Sequence, residues 1–374
     1  MKVKYYYVDD DPLNITQETA KGLSIYPDKL EIEAFQHHVW NEQVSFLIDN
    51  QAEFNGLLLD WKLKKTNQNN EEADYNVEAL AQQLRAAIIE TKFKKDFPII
   101  LCSADSRFDE LYTKDVTGHD LFDLVVKKDD FNDKVNEIIS KFVDLAQGYQ
   151  IIAEDMSVQN LFKIEELNYI DYRVLDYMNN LKSKSVHEIA RFILTKIINV
   201  PCFLINEYLL VSRLGIDIQD KESKESWNHL KDEYLIDSKY NGVFSNGWER
   251  WWMPKVLNFW HHNFETSLGS VTASEKITML NEKFGLSLKS AKIMEMAQSE
   301  QFWTVCKETN LPLAIEDGIL YSSNDFENVP WQEDEYYSIW AVLEGGAIQI
   351  HPLERERVSF YKKKFTKSRN NEGK

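Results

Sequence analysis

The sequence predicts an α/β protein: a doubly wound, five-stranded parallel sheet, followed by a mostly helical α+β domain with a small antiparallel sheet. Three observations carry that expectation. Five short apolar runs alternate with helix-like patterns through the first 150 residues, the rhythm of strands joined by crossover helices. Two of those runs, "GLLL" and "PIIL", are apolar without alternation, as expected of strands covered on both faces. Beyond residue 150 the 3.6-residue period takes over, and strand signals return only late in the chain.

The expected strands are Lys4–Val8, Leu30–Phe35, Gly56–Leu59, Phe97–Cys102 and Phe122–Val126. Between and after them, helices are expected from Pro12 to about Ser24, with Asp11 as N-cap and proline at the first helical position. Further helices are expected over Val39–Gln51, over "NVEALAQQLRAAIIE" capped by Asn76, and over Ser106–Asp115 and Phe131–Ala146. The stretch "KLKKTNQNNEEADYN", 62 to 76, is polar and aperiodic and reads as a long loop. The domain boundary is placed at 150/151. In 151–374 helices are expected over "LNYIDYRVLDYMNNL", "SVHEIARFILTKIINV", "CFLINEYLLVSRLG", "WERWWMPKVLNFWHHNF", "ASEKITMLNEKFG" and "LSLKSAKIMEMAQ". Asp317-Gly318 and Gly345-Gly346 stand between strand-like runs and suggest two hairpins.

Charge and composition narrow the function classes. The net charge of −18 opposes binding to nucleic acid, which depends on neutralising phosphates with Lys and Arg. The one basic stretch, "RERVSFYKKKFTKSR", reads as a solvated tail. No apolar run approaches the ~20 residues that span a bilayer, and "MKVKYYYVDD" has no signal-peptide core. The three cysteines, Cys102, Cys202 and Cys306, form no CxxC pair, so a reducing, cytoplasmic setting is expected. Thirteen glycines in 374 residues supply no phosphate-cradling loop.

Ligands of an open parallel sheet bind beyond the carboxyl ends of its strands. Those ends carry Asp9 and Asp10 (strand one), Asp60 (three), Ser103 (four) and Lys127 (five). Adjacent carboxylates repel by roughly 4 kcal/mol per pair at ~4 Å and an effective dielectric near 20, which a divalent cation would relieve. An oxygen-rich cluster suits Mg²⁺. Asp60 can then attack a phosphoryl donor as nucleophile, with Lys127 and Ser103 neutralising and hydrogen-bonding the transferring oxygens.

With these residues in place, the first ~147 residues resemble the receiver (CheY-like) domain of two-component response regulators. The matching stretches are "VDDDP", "LLLD", "CSA" and "VVKKDDF", in family order. The resemblance implies a flavodoxin-like fold and Asp60 as phospho-acceptor. It implies Mg²⁺ held by Asp10, Asp60 and the backbone carbonyl of Lys62, with Asp9 in the outer shell. It further implies Ser103 as switch hydroxyl, Lys127 as phosphoryl-binding cation, and a cognate histidine kinase as partner. The chain departs from the family after the acceptor, where "WKLKKTNQNN" replaces Met-Pro and Asp-Gly. Lys128 stands where proline usually follows the lysine, and Leu124 where an aromatic switch residue is common.

The second domain matches no family in this reading. Its helix–turn–helix-like stretch has an apolar second helix, unsuited to reading bases. Trp248, Trp252, Phe259 and Trp260 read as core or interface, with His261 and His262 at the rim. His187-Glu188 lacks the second histidine of a zinc helix, His37-His38 reads as loop, and Cys306 as a buried thiol. The expected output is a protein contact or phosphate buffering, and the receiver-plus-unknown architecture is similar to components of bacterial phage-defence systems. The alternative is a receiver-regulated enzyme, which a concave pocket around Arg250, His261, His262 or Glu265 would favour.

Overall fold

The computed structural model describes residues 2–63, 65–104, 120–181, 184–322, 328–345 and 349–372, the last seven by backbone alone. Its first part is a five-stranded sheet of order β2-β1-β3-β4-β5, with every pairing parallel. The strands are β1 (Val3–Asp9), β2 (Leu30–Gln36), β3 (Gly56–Asp60), β4 (Ile99–Ser103) and β5 (Leu124–Lys127). Helices α1 (Leu13–Leu23), α2 (Trp40–Asp49) and α3 (Val77–Ile89) make the crossovers up to β4. The expected helix Ser106–Asp115 lies outside the described residues. After β5 come α4 (Asp130–Asp133) and α5 (Val135–Glu154).

Every residue of β3 and β4 is buried, which explains their unbroken apolar runs. Leu57, Leu59, Ile99 and Leu101 pack with Leu80, Leu84, Phe54 and Phe97 in one core. Asn76 caps α3 by accepting the Ala79 N–H at 2.8 Å. α1 begins at Leu13, one residue later than expected, and Pro12 takes the N-cap place with extended backbone (ψ 136°). Asp11 is turned to other work: its N–H donates to Asp9 Oδ1 at 3.0 Å.

The chain falls into two compact units. The first comprises 1–165, 175–195 and 241–248, and the second 166–174, 196–240 and 249–374. The first unit therefore draws in later segments, and a buried polar network shows how. Arg85 of α3 donates to the carbonyl of Phe97 at 2.8 Å and pairs with Asp123 at 2.8 Å and Asp96 at 3.2 Å. Asp123, just before β5, accepts the Ile99 N–H and the Tyr149 hydroxyl. His187 lies on α7 (Val186–Ile193), which follows the short α6 (Val158–Phe162) in the chain, and bonds Tyr149 at 2.9 Å and the Asp120 carbonyl at 2.8 Å. Residues 241–248 join the same unit through Gly148, where a Cβ would collide with the Phe244 ring.

The second unit carries the helices α8 (Glu207–Leu214), α9 (Lys221–Glu233), α10 (Met253–Asn263) and α11 (Ala273–Phe284). Trp227, Trp251 and Trp260 sit in its main apolar core. The small sheets differ from the expected hairpins. β6 (Leu204–Ile205) pairs with β7 (Trp251–Trp252), β8 (Thr304–Val305) with β9 (Pro312–Leu313), and β10 (Gly318–Leu320) with β11 (Tyr336–Ser338), all antiparallel. Asp317-Gly318 is thus no hairpin turn: a 3-10 turn at Ile315–Asp317 separates strands of two different sheets. "IWAVLE" is helical rather than a strand, and Gly346 lies outside the described residues.

"LSLKSAKIMEMAQ" is not helical either. Asn281 takes both the N–H and the carbonyl of Leu288 at 2.9 Å. The following residues then bond to the backbone of Gly215 and Asp217. Side-chain and cross-chain bonding displace the helical ladder that the apolar spacing suggested. Among the described residues, no helix is long and apolar enough to cross a membrane.

The buried network makes a prediction. Breaking a buried ion pair from one side leaves an uncompensated charge, costing about 3–5 kcal/mol, so Arg85→Met should lose that much in chemical denaturation. Burial alone would raise Asp123, but Arg85, His187 and Tyr149 hold its carboxyl at about 2. A folded value below the unfolded one stabilises above pH ~4 and fades as pH falls towards 2. Asp123→Asn should therefore narrow the gap to wild type across that acid window; a constant gap would contradict this account.

Candidate phosphoryl-acceptor site

Asp9, Asp10 and Asp60 are all buried, and one carboxylate oxygen from each lies within 4.8 Å of the others. The topology explains the convergence. β1 and β3 are neighbours in register, Val8 opposite Leu59, so their carboxyl ends deliver the aspartates side by side. In a sheet of this order the chain reverses direction of winding between β1 and β3, which opens a crevice there.

Each carboxylate is held by specific donors. Asp9 accepts the Tyr7 hydroxyl, the Asp11 N–H at 3.0 Å and the Lys128 ammonium at 2.8 Å. Tyr7 and Asp9 stand two apart on one strand and so share a face. Asp60 pairs with Lys128 at 2.7 Å and accepts the Lys62 N–H at 2.8 Å. Asp10 accepts the Lys65 N–H at 2.8 Å, and the Lys65 ammonium sits between Asp10, at 3.7 Å, and Asp11.

Ser103 is buried at the end of β4, whose Cys102 lies opposite Asp60. Lys127 is opposite Ser103 in the β4–β5 register, and its side chain is exposed. Among the described residues, Lys128 contributes an ammonium to the carboxylates Asp9 and Asp60. The reason is local: the Lys128 N–H donates to the Ser103 carbonyl at 2.9 Å, one residue past the strand. From there the long side chain reaches over the sheet's end to Asp9 and Asp60. Of Lys62, the backbone N–H is engaged with Asp60, and its ammonium lies 5.0 Å from the Trp61 ring centroid.

The electrostatics separate the two carboxylates that share Lys128. Burial would raise Asp9, but Lys128 and the Tyr7 and Asp11 hydrogen bonds hold it below the usual range. For Asp60 burial prevails, reinforced by the Asp9 charge, and Lys128 only limits the rise to about 6. Burial works against the Lys128 charge, yet its anionic neighbours, Asp60 and Asp9 among them, keep it firmly protonated. Near neutral pH Asp9 and Asp60 are therefore ionised beside the half-buried Lys128 ammonium. The site's donors are hard oxygens with room to converge, a set that fits Mg²⁺. Sequence reasoning missed Lys128, Tyr7 and Lys65. A signal for Tyr7 existed, since a tyrosine buried in a central strand needs a partner for its hydroxyl.

No protein-family model matches the chain, and no curated protein matches it. Among solved structures, an adenylate cyclase from Rhodopirellula baltica is similar over 41% of this chain and 99% of its own, with 12% identity and a TM-score of 0.28. The phosphorylated cyanobacterial phytochrome response regulator RcpA is similar over 42% of this chain and 98% of its own, with 13% identity and a TM-score of 0.24. What the site can do follows from its own geometry.

A stability prediction comes from the raised Asp60. Its folded value exceeds its unfolded one, so the protonated form favours folding and the ionised form opposes it. Asp60→Asn should accordingly stabilise the metal-free protein above pH 6, on the order of 2 kcal/mol. The gain should vanish as pH falls below 4. Urea denaturation at several pH values measures it; a variant less stable than wild type at pH 7.5 would refute the assignment.

Proposed function

We propose that the protein is a response-regulator-type signalling protein that accepts a phosphoryl group on Asp60 from a phosphohistidine of a partner kinase. The observation carrying this reading is Lys128 bridging Asp9 and Asp60 beside Asp10, at the switch point of a 2-1-3-4-5 parallel sheet. An Asp60 carboxylate oxygen forms the new bond to phosphorus as the bond to the donor's imidazole nitrogen breaks, and that nitrogen takes a proton from solvent. Mg²⁺, when bound, supplies charge neutralisation for the phosphoryl oxygens. Asp10, Asp60 and the Lys62 carbonyl are the groups proposed to hold it, with Asp9 acting through a water.

Lys128 neutralises the incoming oxygens and Ser103 offers a hydroxyl to one of them. Burial matters to this chemistry, because a fixed ammonium in a partly dry site stabilises developing charge far better than water does. The structure of 151–374 is proposed to deliver the output through contact with another protein. The strongly acidic chain argues against a nucleic-acid output. A second reading, a small-molecule site in the second unit, is favoured by the cavity at Arg250 described below.

Incubation with acetyl phosphate and Mg²⁺, followed by intact-mass measurement, should add one phosphoryl group to wild type and none to Asp60→Asn. Lys128→Ala should slow labelling roughly 10²-fold or more, whereas Lys127→Ala should label like wild type. Equal labelling of wild type and Asp60→Asn would overturn the acceptor; loss in Lys127→Ala alone would return the role to that residue. In the same buffers, Mg²⁺ at a hundredfold excess over Kd should stabilise wild type by roughly 2.7 kcal/mol, and Asp10→Asn much less.

A further inference from the structure

The second unit contains a cavity of about 240 Å³ whose wall includes Asn206, Arg250, Thr304, Lys307, Asn310 and Glu333. The charges on that wall are mostly matched. Glu333 pairs with Arg213, and Glu335 with Lys307 at 2.7 Å. Asp334 is exposed to water, where its charge is screened.

Arg250 is different. Its Nε donates to the Ile198 carbonyl and one Nη1 hydrogen to the Glu249 carbonyl, both at 2.7 Å. Those bonds fix the plane of the guanidinium and use two of its five donors. Among the described residues no carboxylate lies within ion-pair distance of it. Burial accordingly lowers its basicity, to about 10. A partly dry cation without a counter-ion is costly, and its unused donors suit the paired oxygens of a carboxylate or phosphate.

Asn206 stands nearby on the same wall. Its side-chain oxygen is committed to the Leu209 N–H at 2.9 Å, as the N-cap of α8, which leaves its NH₂ as a neutral donor. The volume is below the ~300 Å³ at which drug-sized ligands begin to fit, so the occupant is small.

We propose that this cavity is a binding site for a small oxyanion, a carboxylate or phosphate compound, with Arg250 as its counter-ion and Asn206 as a second donor. The site is separate from the Asp60 chemistry, and neither reading depends on the other. Of the residues around which, on the sequence, a pocket would favour an enzyme, Arg250 lines this cavity, and His261, His262 and Glu265 do not.

The test is thermal unfolding of the full chain with added sodium acetate or sodium phosphate, against sodium chloride at equal ionic strength. Four proteins are compared: wild type, Arg250→Ala, Val200→Trp and Lys239→Ala. Val200 lines the cavity, so tryptophan there fills it while leaving both Arg250 bonds in place. Lys239 pairs with Glu249 at the surface and controls for simple loss of positive charge.

Acetate or phosphate should raise the Tm of wild type and Lys239→Ala by a few degrees at saturation, and move neither cavity variant. A response to acetate alone indicates a carboxylate ligand, and one to phosphate alone a phosphate ligand. No specific shift in wild type, or equal shifts in wild type and Val200→Trp, overturns the proposal. Should Arg250→Ala fail to fold, Val200→Trp alone decides.

Discussion

Three carboxylates buried at one end of a sheet are a standing electrostatic problem, and Lys128 is the main answer to it. The ammonium lies 2.8 Å from Asp9 and 2.7 Å from Asp60, so it ties β1, β3 and the segment after β5 into one arrangement. Backbone donors do the rest: Asp11, Lys62 and Lys65 each give an N–H to one of the three. The sharing is unequal in effect. Asp9 has Tyr7 as an additional donor and is held ionised, while Asp60 is left near the edge of protonation. A carboxylate whose charge is costly has the most to gain from a metal or from forming a bond to phosphorus.

The loop after β3 shows how local polar bonding can replace regular structure. Asn67 accepts the N–H groups of Asn69 and Glu71 with its own side-chain oxygen, and its NH₂ donates to the His37 carbonyl. Gln68 donates its N–H to Gln36. These bonds anchor the loop to the end of β2, and Lys65 is thereby brought to Asp10 and Asp11. Asparagine favours this behaviour because its short side chain competes with the backbone for hydrogen bonds. The residues that made the stretch read as unstructured are those that organise it.

Legibility in the sequence follows the same division. Apolar periodicity reports burial, so all five strands and the helices α1 to α3 could be read within a few residues. The acidic cluster could be read because a parallel sheet puts its strand ends together. The contacts of Lys128 with Asp9 and Asp60 could not, since they turn on where β5 stops, and strand ends are the least certain part of any such reading. Arg85 and His187 were illegible for another reason. Each sits on an amphipathic helix, where one polar residue on the buried side looks like noise until Asp123 and Tyr149 are seen beside it. The non-helical stretch after α11 fails similarly, because Asn281 intercepts the backbone of Leu288.

Trp248, Trp252 and Trp260 read from the sequence as core or interface, and the fold buries all three. Trp227, Trp251, Trp252 and Trp260 are among the largest fully buried side chains of the protein. Large rings of this kind supply much of a core's apolar area, and the second unit is built from short helices and two- or three-residue strands that need such area to cohere. Aromatic richness is therefore accounted for by packing before any partner is invoked. What packing does not account for is the Arg250 guanidinium set into a cavity wall, hydrogen-bonded to two backbone carbonyls and, among the described residues, in no ion pair.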